Sequence, residues 1–239
     1  FIYIVLLTFH SLFNYMVTWI IRAVDWGNIQ RSPTFQAIFN YYFSDSSKLT
    51  IPVIFDSAGT RVDDIMGDST PVTKKLDMIH ASIHYDIVKG ADKSLADDFW
   101  SKWYGKDETH IPLKEKRGIT RIYSKIKTDV HLEQMRFRNV ALMEAGIPKE
   151  FLPGMRIPFR HNKNLRLILP LEENIVQQVE DYYESSSDKQ PLTKIYGDLV
   201  GMDYLEDELV GGIKTARKQV EYFMNTRDEA MEEIIKLLG

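Results

Sequence analysis

The sequence predicts an α/β protein: a three-layer domain with a four-stranded parallel sheet, helices on both faces, and a helical insertion. Three observations carry that prediction. Apolar runs of strand length alternate with amphipathic stretches of helical period, joined by short connections, as in β-α-β units. The runs at 17–24, 51–55 and 165–171 are continuous rather than alternating, which suits strands covered on both faces. Between 61 and 128 the pattern changes to charged, helical sequence without a clear buried strand.

The elements follow in chain order. Residues 15–24 read as a central strand, followed by DWGNIQRSP (25–33). A helix over 32–44 is predicted because Phe35, Ile38, Phe39 and Tyr42 fall at i, i+3, i+4 and i+7. Ser32 supplies an N-cap and Pro33 a proline tolerated in the first turn. A second strand at 51–55 ends in DSAGT (56–60). Helices near 71–89 and 93–104, the latter carrying Trp100, Trp103 and Tyr104, belong to the insertion 61–128. Leu132, Met135, Val140 and Met143 mark an amphipathic helix over 129–146, closed by Gly146. LRLILPL (165–171) and LTKIYGD (192–198) read as the third and fourth strands, around an acidic helix at 172–185. Ile213, Ala216, Val220, Phe223, Ala230, Met231 and Ile234 share one face of a terminal helix over 212–238. The α/β domain thus spans 16–60 and 129–239.

Composition narrows the function classes. With 239 residues, 44% hydrophobic and 27% charged, disordered and collagen-like chains are excluded. Thirty Lys+Arg against 34 Asp+Glu leave a net charge of −4, so whole-chain attraction to nucleic acid or anionic membrane is not expected. The absence of cysteine removes disulfides, Cys-ligated zinc, iron–sulfur clusters and thiol nucleophiles. Residues 1–21 carry no Asp, Glu, Lys or Arg and match the length of a membrane span. His10, Ser11, Asn14, Thr18 and the lack of a basic flank favour buried segments instead. If Met16 is a start, 1–15 form an apolar extension. A cytoplasmic location is expected, with membrane attachment only through 1–21.

The connection 25–33 carries the chemistry. A short loop between a strand and a helix aims backbone N–H groups at the helix N-terminus and makes an anion cradle. Gly27 allows a tight path, Arg31 can clamp two oxygens, and Ser32 caps the helix. The other reading of the same residues is a structural turn with an exposed arginine.

The segment 17–33 resembles the start of the low-molecular-weight protein tyrosine phosphatases. Their signature is a strand, then Cys, five residues and Arg-Ser, commonly with a Gly-Asn-Ile-Cys-Arg-Ser-Pro core. This chain has Gly27, Asn28, Ile29, Gln30, Arg31, Ser32 and Pro33 there. The run Asp56, Ser57, Ala58, Gly59, Thr60 is similar to the family's Ser-Ala-Gly-Thr after its second strand. Ala145, Gly146 and Ile147 resemble its end-of-helix Gly-Ile, and 165–173 its third strand running into a helix. The likeness covers 16–60, 129–185 and 190–238, and leaves 61–128 unaccounted for.

The resemblance implies a hydrolase scaffold for a phosphorylated protein or small phosphate ester, with no cofactor and no metal. It makes Gly27, Asn28, Ile29, Gln30, Arg31 and Ser32 the phosphate-binding loop and Arg31 the phosphate-binding arginine. Asn28 and Ser57 become the polar pair that supports the loop, and Ser32 the hydroxyl beside the nucleophile. The nucleophile position holds Asp25, the second loop cysteine position Gln30, and the general-acid position Asp207. The proline that follows the acid in the family is Glu208 here, and the aromatic wall is Leu209 and Val210.

A carboxylate can be phosphorylated, but aspartyl-phosphate enzymes use Mg²⁺ to offset the approaching anion, and no second acid lies in this loop. Two unit charges 4 Å apart repel by about 4 kcal/mol at an effective dielectric near 20, on the order of a thousandfold in affinity. An ionised Asp25 is therefore expected to occupy the phosphate's place, paired with Arg31 and the loop amides. The expected function is a pseudophosphatase acting as a phosphate- or phosphoprotein-binding or regulatory module. Two alternatives stand beside it. One is an active phosphomonoesterase using Asp25 or a water; the other is a nucleic-acid or protein adaptor built on the basic stretch 113–127. His80 and His84, four apart with Asp77 nearby, could reach one metal or simply pack. Arg156, Arg160 and Lys163 either border the cradle or are surface charge.

Overall fold

Strands β1 (Trp19–Asp25), β2 (Val53–Gly59), β3 (Leu165–Pro170) and β4 (Leu192–Thr193) form one all-parallel sheet in the order β2-β1-β3-β4. The computed structural model describes residues 18–43, 51–62, 70–154, 156–203 and 211–239. Seven α-helices are found among these residues: α1 (Arg31–Phe43), α2 (Val72–His84), α3 (Gly90–Trp103), α4 (Leu113–Glu144), α5 (Glu173–Glu184), α6 (Tyr196–Leu199) and α7 (Gly212–Leu238). The extension 1–15 lies outside the described residues, and 19–21 of the apolar segment belong to β1. No helix among the described residues is long and apolar enough to cross a membrane.

Strand alternation sends side chains to two cores. Ile21, Ala23, Phe55, Leu167 and Leu169 meet α1, α7 and the end of α4 on one face. There Phe35 stacks on Phe39 at 4.0 Å, and the Tyr196 and Phe223 rings meet Phe35 edge-on. Val24, Ala58 and Ile168 face the other way, against Phe159 and the apolar stripe Ile175, Val179 and Tyr183 of α5. The result is the three-layer α/β arrangement. On this second face Arg22 forms a two-pronged pair with Asp56, its direct neighbour across the β1–β2 ladder (2.8 and 2.6 Å). On the open edge, the Asn40 amide of α1 donates to the Phe55 carbonyl and accepts from its N–H, closing that position to a further strand.

A third apolar cluster lies away from the sheet. Leu76 and Ile79 of α2, Phe99 and Trp103 of α3, and Ile119, Ile122 and Tyr123 of α4 pack together. Helices α3 and α4 approach closely at Gly118, where a Cβ would stand 2.5 Å from the Phe99 ring. Helix α4 continues from this cluster into the sheet core at Ala141 and Leu142.

Four element expectations change. The helix expected over 129–146 is the second half of α4, because the spacing Ile119, Ile122, Ile126, Val130 carries the buried face through 128 without a breaker. The strand expected over 192–198 stops at Thr193, since Tyr196 turns inward in α6 and its hydroxyl meets Thr226 at 2.7 Å. Strand β2 runs on through Ser57, Ala58 and Gly59, whose small side chains let them pair with Ala23, Val24 and Asp25. Helix α1 begins at Arg31, so Ser32 lies inside its first turn and is not the N-cap.

Candidate functional site

The loop 26–30 leaves the C-terminal end of β1, the central position where parallel sheets present their connections. Its conformation is dictated by a carboxylate. Asp25, 3% exposed, accepts from the Asn28 N–H through Oδ1 (2.5 Å) and from the Ser32 N–H through Oδ2 (2.9 Å). Asp25 thereby caps the first turn of α1, where a negative charge is favoured. The first helical bond of α1 runs from the Thr34 N–H to the Gln30 carbonyl. The N–H groups of Gly27, Ile29 and Gln30 take part in no hydrogen bond among the described residues.

Asn28 is the centre of the loop's support. It is the loop's left-handed residue (φ 49°), a conformation Asn tolerates better than most residues, so the special backbone angle falls here and not on Gly27. Its Nδ2 donates to Ser57 Oγ (2.9 Å) and Ser32 Oγ (3.1 Å), while its Oδ1 accepts from the Ile157 N–H (2.7 Å). Ser57 in turn donates to Gln36 Oε1 on α1. One amide thus ties together the loop, α1, β2 and the segment before β3. Gly59 permits this closeness: a Cβ there would stand 2.7 Å from the Asn28 nitrogen and 2.8 Å from the Gly27 carbonyl carbon. Residues 157–159 pair with Gly59 on its other side.

Two buried arginines frame the loop. Arg31 donates through Nη2 to Glu172, the residue ahead of α5. Arg138 of α4, 1% exposed, donates through Nη1 to the Ile29 carbonyl and through Nη2 to the Pro153 carbonyl, both at 2.8 Å. Burial pushes the Arg138 guanidinium down to about 10, against the pull of the Asp25 charge, so it stays cationic at neutral pH. Sequence reasoning did not find Arg138, Glu172, Gln36 or the Ile157 N–H. One signal was available: Arg138 follows His131 and Gln134 at helical spacing on the buried face of α4, where a charge needs a reason.

The structure therefore brings Asp25, Gly27, Asn28, Ile29, Gln30, Arg31, Ser32 and Ser57 into one locus. Asp207 lies outside the described residues. Of 155–163, Arg156 faces Tyr123 and His131 of α4, and the Arg160 carbonyl receives Arg22 Nη1. His80 stacks on Trp100 at 4.2 Å, and no group of three or more His, Asp or Glu gathers to hold a metal among the described residues. In the basic stretch, Lys125 pairs with Asp92 (2.9 Å), and a 470 Å³ groove beside it mixes Lys114, Arg117 and Arg121 with Asp98 and Glu115. Neither is a field of single sign.

The fold defines an α/β protein with a hydrogen-bonded loop at the end of its central strand. No protein-family model matches the chain, and no curated protein matches it.

Proposed function

We propose that the protein is a phosphate- or phosphoprotein-binding module on a scaffold like that of the low-molecular-weight protein tyrosine phosphatases, with its catalytic chemistry silenced. The observation that carries the reading is the Asp25 carboxylate, seated at the head of α1 on the Asn28 and Ser32 amides. At that position a thiolate would attack phosphorus and later leave it; a carboxylate whose two oxygens each accept a loop amide is a poor nucleophile. The loop nevertheless keeps the donors an oxyanion needs, namely N–H groups at a helix N-terminus and a buried arginine.

The test is hydrolysis of p-nitrophenyl phosphate in metal-free buffer. Wild type and Asp25→Ala should both be inactive. Turnover in the wild type that disappears in Asp25→Ala would overturn the reading in favour of a phosphomonoesterase.

A further inference from the structure

We infer that the loop selects oxyanions that carry a proton, the monoanion of phosphate or of a phosphomonoester, and rejects fully deprotonated ones such as sulfate. The inference rests on the phosphate-loop reading and names its ligand. Asp25 is the residue that makes the selection.

The argument starts from the mixture of donors and acceptors in the loop. The N–H groups of Gly27, Ile29 and Gln30 and the Arg31 guanidinium are donors, suited to unprotonated phosphate oxygens. Asp25 is the opposite: an ionised carboxylate accepts only, and it already receives two of the loop's amides. Gln30 adds a second acceptor. That residue is 4% exposed and its Oε1 has no donor among the described residues, where a buried acceptor ordinarily has one. A ligand that satisfies this loop must therefore both accept and donate. Sulfate at ordinary pH has no O–H to donate and sets oxygen lone pairs against Asp25. A phosphate monoanion does have an O–H, and O–H···O⁻ bonds are among the strongest hydrogen bonds.

Charge points the same way. Among the described residues the charged groups around the loop are Asp25 on β1, Arg31 on α1, Arg138 on α4 and Glu172 before α5, two of each sign. A neutral surround offers no surplus of positive charge to hold a dianion out of water, whereas a monoanion places one charge on the amides and Arg31.

Calorimetry with inorganic phosphate, phenyl phosphate and sulfate at pH 5.5 and 7.5 tests this, using the full chain and Asp25→Asn. In the wild type, phenyl phosphate should bind roughly 25-fold more weakly at pH 7.5, which is the fall in its monoanion for a second pKa of about 6. Sulfate at pH 5.5 should bind at least about tenfold more weakly than phosphate, a gap equal to one lost hydrogen bond of about 1.4 kcal/mol. In Asp25→Asn the amide can donate, so sulfate binding should appear and the pH dependence should flatten. Binding of both phosphate probes supports the selection for free anion and ester alike; binding of inorganic phosphate alone supports it for the free anion. Equal wild-type affinity for sulfate and phosphate, or no pH dependence, overturns the inference. Binding in Asp25→Asn with none in the wild type also overturns it, making Asp25 a fixed plug, but leaves the loop reading intact. If neither protein binds any oxyanion, the phosphate-loop reading itself fails. Should Asp25→Asn not fold, the wild-type comparison decides alone.

Discussion

The loop between β1 and α1 and the helical region of α2, α3 and the first half of α4 share one long helix but keep their shape by different means. Around the loop, buried polar groups hold backbone in place: Asp25 takes two amides, Asn28 takes one and gives two bonds, and Arg138 holds two carbonyls. In the helical region the interior is mostly apolar, with Leu76, Ile79, Phe99, Ile119 and Ile122 in mutual contact and ion pairs such as Lys125–Asp92 on the surface. Apolar packing is non-directional and can relax when a volume changes. A hydrogen-bonded loop has few alternative arrangements, because each displaced group leaves a buried partner unmatched. The same kind of substitution should therefore cost more at the loop.

Two glycines make the sharpest comparison and carry the largest expected effect. A Cβ at Gly59 would meet backbone atoms of Asn28 and Gly27 at 2.7 and 2.8 Å, whereas at Gly118 it would meet the Phe99 side chain at 2.5 Å. Gly59→Ala should cost about 3 kcal/mol, the upper part of the range for overpacking, since neither strand nor loop can retreat. At Gly118 a ring can tilt, and replacing a mid-helix glycine by alanine returns about 1 kcal/mol of helix propensity. Gly118→Ala should then lie within about 1 kcal/mol of wild type. Urea denaturation of both variants checks this; similar midpoints would show that backbone crowding at the loop is no stiffer than ring packing.

That contrast also explains what was legible in the sequence. Helix α1 could be read from Phe35, Ile38 and Phe39, fully buried at helical spacing, but the expected face runs one residue off at its end: Tyr42 is exposed and Phe43 is buried instead. The loop's members could be read because Asn, Gly and Arg have backbone and anion roles that few residues share. Its partners could not, because they come from far away along the chain: Arg138 is 109 residues from the Ile29 carbonyl it holds, Ile157 is 129 from Asn28, and Glu172 is 141 from Arg31. Local patterns do not encode such meetings. Strand β4 was overestimated for a related reason. Leu192, Ile195 and Tyr196 suit a strand, but the aromatic core beside α7 captures Tyr196 and bends the chain.

Removing a buried cation sharpens the comparison at the next scale. Arg138→Met would leave the Ile29 and Pro153 carbonyls without their donor and would remove a positive charge that acts on Asp25. A cost of at least about 2 kcal/mol is expected from two buried acceptors at about 1–3 kcal/mol each. Lys75 is the counterpart in the helical region, buried, with Nζ 3.1 Å from Thr120 Oγ1 and close over the Tyr123 ring. Lys75→Met should cost less than Arg138→Met, because main-chain carbonyls cannot turn away whereas a threonine hydroxyl can, and the methionine refills the apolar contact. Equal losses in the two variants, measured by the same denaturation, would remove the distinction between directional and apolar support.

The smallest effect falls where the two regions meet. His131 of α4 is 3% exposed, sits one residue beyond the Val130 of the helical core, and shares the buried face with Gln134 and Arg138. Burial first, and then the nearby Arg156 and Lys127 charges, push its imidazole down to about 3. In the unfolded chain a histidine takes up its proton near pH 6.5, so between that value and about 3 the unfolded state binds the extra proton. The stabilisation from keeping His131 neutral is complete above pH 6.5 and is lost as pH falls, by at most about 1.4 kcal/mol per pH unit and about 1.4 kcal/mol in all at pH 5.5. His131→Phe removes the titrating group while keeping a ring in the same space. Its stability should therefore change less between pH 7.5 and 5.5 than that of the wild type, by about that amount. If both proteins lose stability in parallel on acidification, the junction is not what limits the fold in acid, and the proton is taken up elsewhere.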